Sequence, residues 1–125
     1  MHYDTNCPFC NLDRDPVVEN KYCFAIPDKY PVSTGHILII SRRHVEDYFD
    51  LSDEEKQACW KLVDKMKDKL EAEHRPDGWN IGINTGSVAG QTVFHVHIHL
   101  IPRFEGDMEH PRGGVRHSVE GKGYY

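Results

Sequence analysis

Apolar and polar residues alternate strictly from Phe94 to Leu100 within one stretch of the chain, Val93-Phe94-His95-Val96-His97-Ile98-His99-Leu100-Ile101. Successive side chains of a β-strand point to opposite faces, so this period of two predicts a strand over 93–103, with Val96, Ile98 and Leu100 on one face and three imidazoles on the other. Two earlier apolar runs also read as strands. Tyr22-Cys23-Phe24-Ala25-Ile26 is stopped by Pro27-Asp28, and His36-Ile37-Leu38-Ile39-Ile40-Ser41 carries the β-branched residues that suit the centre of a sheet. Trp79-Asn80-Ile81-Gly82-Ile83-Asn84 alternates as well, and its glycine permits close approach of another group to the sheet.

The period changes between these runs. Ser52 followed three residues later by Glu55 is a capping box, with acids in the positive first turn. Ala58, Cys59, Leu62, Val63, Met66 and Leu70 then form one stripe, which predicts an amphipathic helix to about Glu73, ended by the breaker His74-Arg75-Pro76-Asp77-Gly78. Trp60 lies off the stripe, and a subunit contact and partial exposure both stay open for it. A loop over 29–35, a basic turn Arg42-Arg43-His44, a small-residue loop over 85–92 and a glycine-rich tail beyond Pro102 connect or follow these elements. Strands joined by loops and one helix, without repeated βαβ units, indicate an α+β fold with a mainly antiparallel sheet.

Composition narrows the function. With 125 residues, 38% hydrophobic and 28% charged, the chain supports one domain with one modest core. A net charge of −5 argues against coating a nucleic acid polymer, and no apolar run is long enough to span a membrane. Met1-His2-Tyr3-Asp4 lacks the charge and apolar core of an export signal, so the expected location is cytoplasmic. The tail departs from the average, with Arg112, Arg116 and Lys122 against Glu120, which keeps a small phosphate ligand nearby in view.

Three imidazoles on one strand face start roughly 7 Å apart and could share a site as nucleophile, proton shuttle or metal ligand. A purification tag would be terminal and would lack interleaved β-branched residues; this stretch is neither. Cys7-Pro8-Phe9-Cys10 is a C-x-x-C pair, a pattern that redox pairs and structural zinc share, although no βαβ pattern surrounds it. Cys23 and Cys59 sit in apolar patterns and read as buried hydrophobes. Asp28, Asn84 and Thr85 suit plain turns as well as ligand contacts, and His36 suits a core position as well as a site.

His95-Val96-His97-Ile98-His99-Leu100-Ile101 resembles the signature of the histidine triad (HIT) superfamily, and Gly90-Gln91-Thr92-Val93 precedes it as a similar segment does there. The resemblance runs from Cys7 to Arg103. It implies a HIT-like fold: a mainly antiparallel sheet of about five strands, one long amphipathic helix and a short helix. The domain would span 1–105, with an irregular tail over 106–125 packed on or near the active site. Such proteins bind nucleoside phosphates and cleave at the α-phosphorus, commonly in dinucleoside polyphosphates or nucleoside phosphoramidates. By resemblance His97 is the nucleophile, its second ring nitrogen protonated and held by the His95 carbonyl. His99 and His36 line the phosphate site, Gln91, Thr92 and Asn84 hold the phosphate side, and Asp28 meets the ribose hydroxyls.

A zinc-containing subset of the superfamily is matched by Cys7, Cys10, His44 and His95, which implies one structural zinc per chain. Ile101-Pro102-Arg103-Phe104 is unlike the phosphoramidase branch, where glycines follow the triad. Pro111-Arg112-Gly113-Gly114-Val115-Arg116-His117 resembles a bacterial subgroup described as diadenosine tetraphosphate hydrolases, with Arg112 and Arg116 suited to a polyphosphate. The expectation is a homodimeric nucleotidyl hydrolase acting on an adenine dinucleoside polyphosphate, a divalent cation with the substrate remaining open. A phosphoramidase, a nucleotidyl transferase or phosphorylase, and a nucleotide-binding signalling module with little turnover are the alternatives.

Overall fold

The structure is a computed structural model that describes residues 3–125. Met1 and His2, part of the stretch read for an export signal, lie outside the described residues. Five strands form one sheet in the order β1-β2-β3-β5-β4, every neighbouring pair antiparallel: β1 (Val18–Glu19), β2 (Cys23–Pro27), β3 (Ile37–Ser41), β4 (Gly78–Gly82) and β5 (His97–Arg103). The β-branched run of β3 is indeed central, paired on both sides and buried at all five positions.

The helix α1 (Asp53–His74) lies on one face of the sheet. Its buried stripe of Cys59, Leu62, Val63, Met66 and Leu70 meets Cys23, Ala25, Ile37, Ile39, Ile98 and Leu100, the residues that the strand period sends to that side. At its start the Ser52 hydroxyl accepts from the Glu55 N–H at 3.1 Å, while the Glu55 carboxylate accepts from the Ser52 N–H at 2.8 Å. Left-handed Arg75, just before Pro76, ends it. The opposite face presents Phe24, Ile26, Leu38 and Ile40, partly covered by Phe9 and Leu12 of the N-terminal segment. On this second face the register sets His97 opposite Ile40 and His99 opposite Leu38.

The structure corrects several expectations. The triad strand begins at His97, not Val93, because the preceding segment leaves the ladder and bonds locally: the His95 N–H donates to the Val93 carbonyl and the Val96 N–H to the Val45 carbonyl at 2.7 Å. The strand expected over 79–84 runs from Gly78 to Gly82, so Asn84 belongs to the following loop. The short helix is represented by 3-10 turns, at Tyr48–Asp50, Ser87–Ala89 and Gly114–Ser118. The two-residue β1 had no clear sequence signal. Trp60 is 36% exposed and donates its indole N–H to the Tyr48 hydroxyl. Among the described residues no helix is long and apolar enough to cross a membrane.

Candidate active site and metal cluster

On the second face of the sheet, the ends of β2, β3 and β5 open into a cleft of about 720 Å³. Ile26 and Leu38 form its floor, Pro8 and Phe9 an apolar wall, and Asp28, His36, Asn84, Thr92, His97 and His99 its polar side. Asp13, Arg14 and Lys29 stand at its rim. The hairpin between β2 and β3 brings Asp28 and His36 together: the Asp28 N–H donates to the His36 carbonyl at 3.1 Å, closing the strand ends beneath the 29–35 loop.

His97 is 8% exposed, and its Nδ1–H donates to the His95 carbonyl at 2.7 Å. That bond places the ring proton on Nδ1 and leaves the Nε2 lone pair free. The Phe9 ring packs edge-on against His97 with centroids 5.1 Å apart. Burial lowers the imidazole's proton affinity, partly offset by the carbonyl, so the ring stays neutral at pH 7. A neutral imidazole with an unencumbered nitrogen is a competent nucleophile.

The three imidazoles do not share one site. His95, fully buried and off the ladder, turns away from the cleft toward the two cysteines of the C-x-x-C pair. Its Nδ1 lies 3.3 Å from Cys7 Sγ, 3.7 Å from Cys10 Sγ and 3.2 Å from His44 Nδ1, and Cys10 Sγ lies 3.4 Å from His44 Nδ1. Tetrahedral zinc, with bonds of about 2.3 Å to sulfur and about 2.0 Å to nitrogen, spaces its donors roughly 3.3–3.8 Å apart. These four separations, 3.2–3.7 Å, are close to that range, and all four donor atoms lie within 4.8 Å of one another. The His95 Nε2–H donates to the Ser41 carbonyl at 2.6 Å, which turns the Nδ1 lone pair toward the cysteines, the orientation a ligand needs. Cys7, Cys10, His44 and His95 therefore fit a closed four-ligand metal, and His95 joins that cluster to the nucleophile through its own carbonyl.

Gln91 is buried beside the cleft rather than lining it. Its amide donates to the Glu46 and Val93 carbonyls and its oxygen accepts from the Gly86 N–H, so it ties the 85–92 loop to the chain on either side. Asn84 and Thr92 do reach the cleft. Arg112 and Arg116 do not: both guanidinium groups lie over the Tyr125 ring, at 4.4 and 4.7 Å from its centroid, and the turn carrying Arg116 packs on β4 beside Asn80. Phe9, Arg14, Lys29 and Val32 line the cleft and were not singled out from the sequence. The position of Phe9 inside the C-x-x-C pair is the signal that could have found it.

A family model described as the HIT domain matches residues 11–106. The chain belongs to the HIT domain family. An uncharacterized 16.1 kDa HIT-like protein of Mycoplasma pneumoniae is 38% identical over 82% of this chain and 74% of its own length. A HIT family protein of Bacillus anthracis shares the fold with a TM-score of 0.77 at 37% identity, covering 82% of this chain and 77% of its own. A Zn-bound histidine triad family protein of Mycobacterium smegmatis does so with a TM-score of 0.73 at 33% identity, covering 82% and 78%. Two further relatives carry enzyme names. The bifunctional bis(5'-adenosyl)-triphosphatase/adenylylsulfatase of Arabidopsis thaliana is 38% identical over 69% of this chain, and the AP-4-A phosphorylase of Mycobacterium tuberculosis 33% over 73%. The chain spans about half the length of those two proteins, 48% and 47%.

Proposed function

We propose that this HIT protein is a nucleotidyl hydrolase that cleaves dinucleoside polyphosphates at the α-phosphorus through a nucleotidyl-His97 intermediate. The observation that carries the reading is the Nδ1–H bond from His97 to the His95 carbonyl, which leaves Nε2 free beside a cleft of nucleotide size. In the first step Nε2 bonds to the α-phosphorus and the bridging P–O bond breaks, its electron pair leaving with the nucleoside polyphosphate. In the second, water attacks the phosphorus, the P–N bond returns its pair to His97, and the water's proton passes to solvent. His99 and His36 line the phosphate side of the cleft: His99 offers an imidazole N–H to the phosphoryl oxygens, and His36, its Nε2 3.0 Å from His99 Nδ1, holds that ring in place. Thr92 and Asn84 add polar contacts, Gln91 holds their loop, and Asp28 accepts from the ribose hydroxyls.

Cys7, Cys10, His44 and His95 would hold one zinc per chain; bound there, the metal supplies a structural clamp with no open coordination position. Arg14 and Lys29 at the rim suit the polyphosphate, with or without a divalent cation. Arg112 and Arg116 are proposed to act on the far end of a long polyphosphate rather than at the α-phosphorus. A cytoplasmic location and pairing as a homodimer complete the reading, the pairing supported by the edge position of β4 and its half-exposed Ile81.

The test compares untagged wild type with His97→Ala on diadenosine tetraphosphate, following AMP by chromatography. Release by wild type alone supports the reading. AMP binding without release would instead indicate a binding module. The relative named as a phosphorylase motivates a parallel reaction with inorganic phosphate, in which ADP in place of AMP would make phosphate the acceptor.

A further inference from the structure

The apolar wall of the cleft stands on the metal cluster. Pro8 and Phe9, which form that wall, lie between the two cysteines of the C-x-x-C pair, in a segment that precedes the first strand. This segment is bonded to itself: the Cys7 N–H donates to the Asp4 carbonyl at 3.1 Å, the Cys10 and Asn11 N–H groups to the Cys7 carbonyl at 3.2 and 3.1 Å, and the Asn11 amide to the carbonyls of Asp4, Thr5 and Cys7. Among the described residues, the polar contacts from 3–11 to the rest of the fold all run through the side chains of the cluster, Cys7 and Cys10 against His44 and His95. Beyond these, the segment rests on the sheet through apolar contact of Phe9 with the Phe24, Ile26, Leu38 and Ile40 group.

The nucleophile is tied to the same cluster twice. The His95 carbonyl accepts from His97 Nδ1–H while the His95 ring meets Cys7 and Cys10, and the Phe9 ring stands edge-on to both imidazoles, with centroids 6.0 Å from His95 and 5.1 Å from His97. We propose that the Cys7-Pro8-Phe9-Cys10 knuckle couples the two sites, so that a nucleotide in the cleft and a metal on Cys7, Cys10, His44 and His95 stabilise one another. The inference concerns the regulation of the cleft and rests on reading that cleft as a nucleotide site.

The coupling follows from what holds the knuckle in each state. With the four side chains ligated, Phe9 is fixed against the sheet before a nucleotide arrives, and the ordering of the wall is not charged to binding. Without the metal, thiols facing imidazoles offer only weak hydrogen bonds, and the knuckle is left to the packing of one ring. Phe9 is bonded directly to Cys10 and Pro8 to Cys7, and the proline ring fixes φ at about −65°, so the turn has little slack. A movement that parts either cysteine from its partners therefore carries the wall with it.

The same contacts act in reverse. A nucleoside packed against Phe9 keeps the knuckle on the sheet and both cysteines beside His44 and His95, so the occupied protein releases its metal more slowly. Because coupling between two binding equilibria is reciprocal, the factor by which nucleotide strengthens metal binding is the factor by which metal strengthens nucleotide binding. Conditions that strip the metal thus lower nucleotide affinity, and nucleotide supply protects the metal. A metal that served the fold alone would behave differently: any ligand of the folded protein would slow its loss, whichever residue that ligand touched.

The test follows release of zinc from the loaded protein to an excess of a chromogenic chelator, with and without saturating AMP. AMP should slow release by at least about fivefold, the lower end of ordinary coupling between sites. Phe9→Ala should lose this protection even at saturating AMP, whereas Asp28→Asn, which weakens AMP binding away from the knuckle, should keep it. Should Phe9→Ala fail to take up metal, Phe9→Leu makes the same test, with protection below that of wild type expected. Equal release with and without AMP in wild type overturns the proposal, and so does full protection of the Phe9 variant. Wild type that carries no metal when prepared without chelator overturns it as well. None of these measurements uses turnover. A hydrolase whose metal release ignores AMP overturns this inference alone, whereas AMP-slowed release in a protein that cleaves nothing supports it and overturns the hydrolase reading.

Discussion

Replacing Glu55 by glutamine probes how the fold carries the metal cluster. The Glu55 carboxylate receives the Ser52 N–H and two guanidinium N–H groups of Arg43, at 2.8 and 3.1 Å, with its side chain 7% exposed. Arg43 precedes the cluster residue His44, so the pair fastens that turn to the start of α1. Arg43 holds the Glu55 carboxyl at about 2, against an ordinary 4.5. At about 1.4 kcal/mol per unit this is about 3 kcal/mol, and because a third of the Arg43 side chain faces solvent, screening reduces the expectation to about 1–2 kcal/mol.

The sign follows from the direction of the shift. A carboxyl depressed in the folded state stabilises fully above its unfolded value and loses that contribution as pH falls from about 4.5 through about 2. Glu55→Gln should therefore lower the thermal midpoint at neutral pH by roughly 3–8 °C. The gap from wild type should close as pH falls through that window. Thermal unfolding by circular dichroism, on samples matched for metal content, measures both. A gap absent at neutral pH, or unchanged at low pH, would refute the assignment.

The remaining predictions concern the site. Metal analysis of untagged protein prepared without chelator should find about one zinc per chain, and Cys10→Ser should lose the metal together with cooperative unfolding; a fully active, metal-free wild type would contradict this. Gln91→Ala removes three hydrogen bonds from a buried amide, so it should cost about 2–3 kcal/mol in denaturant unfolding and reduce kcat, whereas wild-type stability would contradict the loop-tying role. Arg112→Ala with Arg116→Ala should raise KM for diadenosine tetraphosphate more than for a substrate with a single phosphoryl group, and equal effects on the two would remove the tail from phosphate recognition.

Much of the fold is local and therefore readable. The cap formed by Ser52 and Glu55, the stripe from Cys59 to Leu70 and the apolar runs of β2 and β3 depend on neighbours a few residues away, and their boundaries agree with the structure within about two residues. The late start of β5 depends on a distant partner, the Val45 carbonyl, which draws Val96 off the ladder. That departure also sends His95 to the cysteines while His97 and His99 remain at the cleft. Phe9 had no periodicity to mark it, because its place on the nucleophile comes from the fold of the C-x-x-C segment. The bond from the Val32 N–H to His36 Nδ1 could not be read at all, since its donor is a backbone group rather than a side chain. For the tail, sequence shows arginines among glycines but not the Tyr125 ring that gathers them.

The central claim is the covalent role of His97, and the most direct measurement is rapid acid-free quenching of wild type with diadenosine tetraphosphate, followed by mass spectrometry of its peptides. The account predicts one acid-labile nucleotidyl group on His97 during turnover. AMP release with that group on another residue, or with no covalent species while turnover is rate-limited by its hydrolysis, would contradict it.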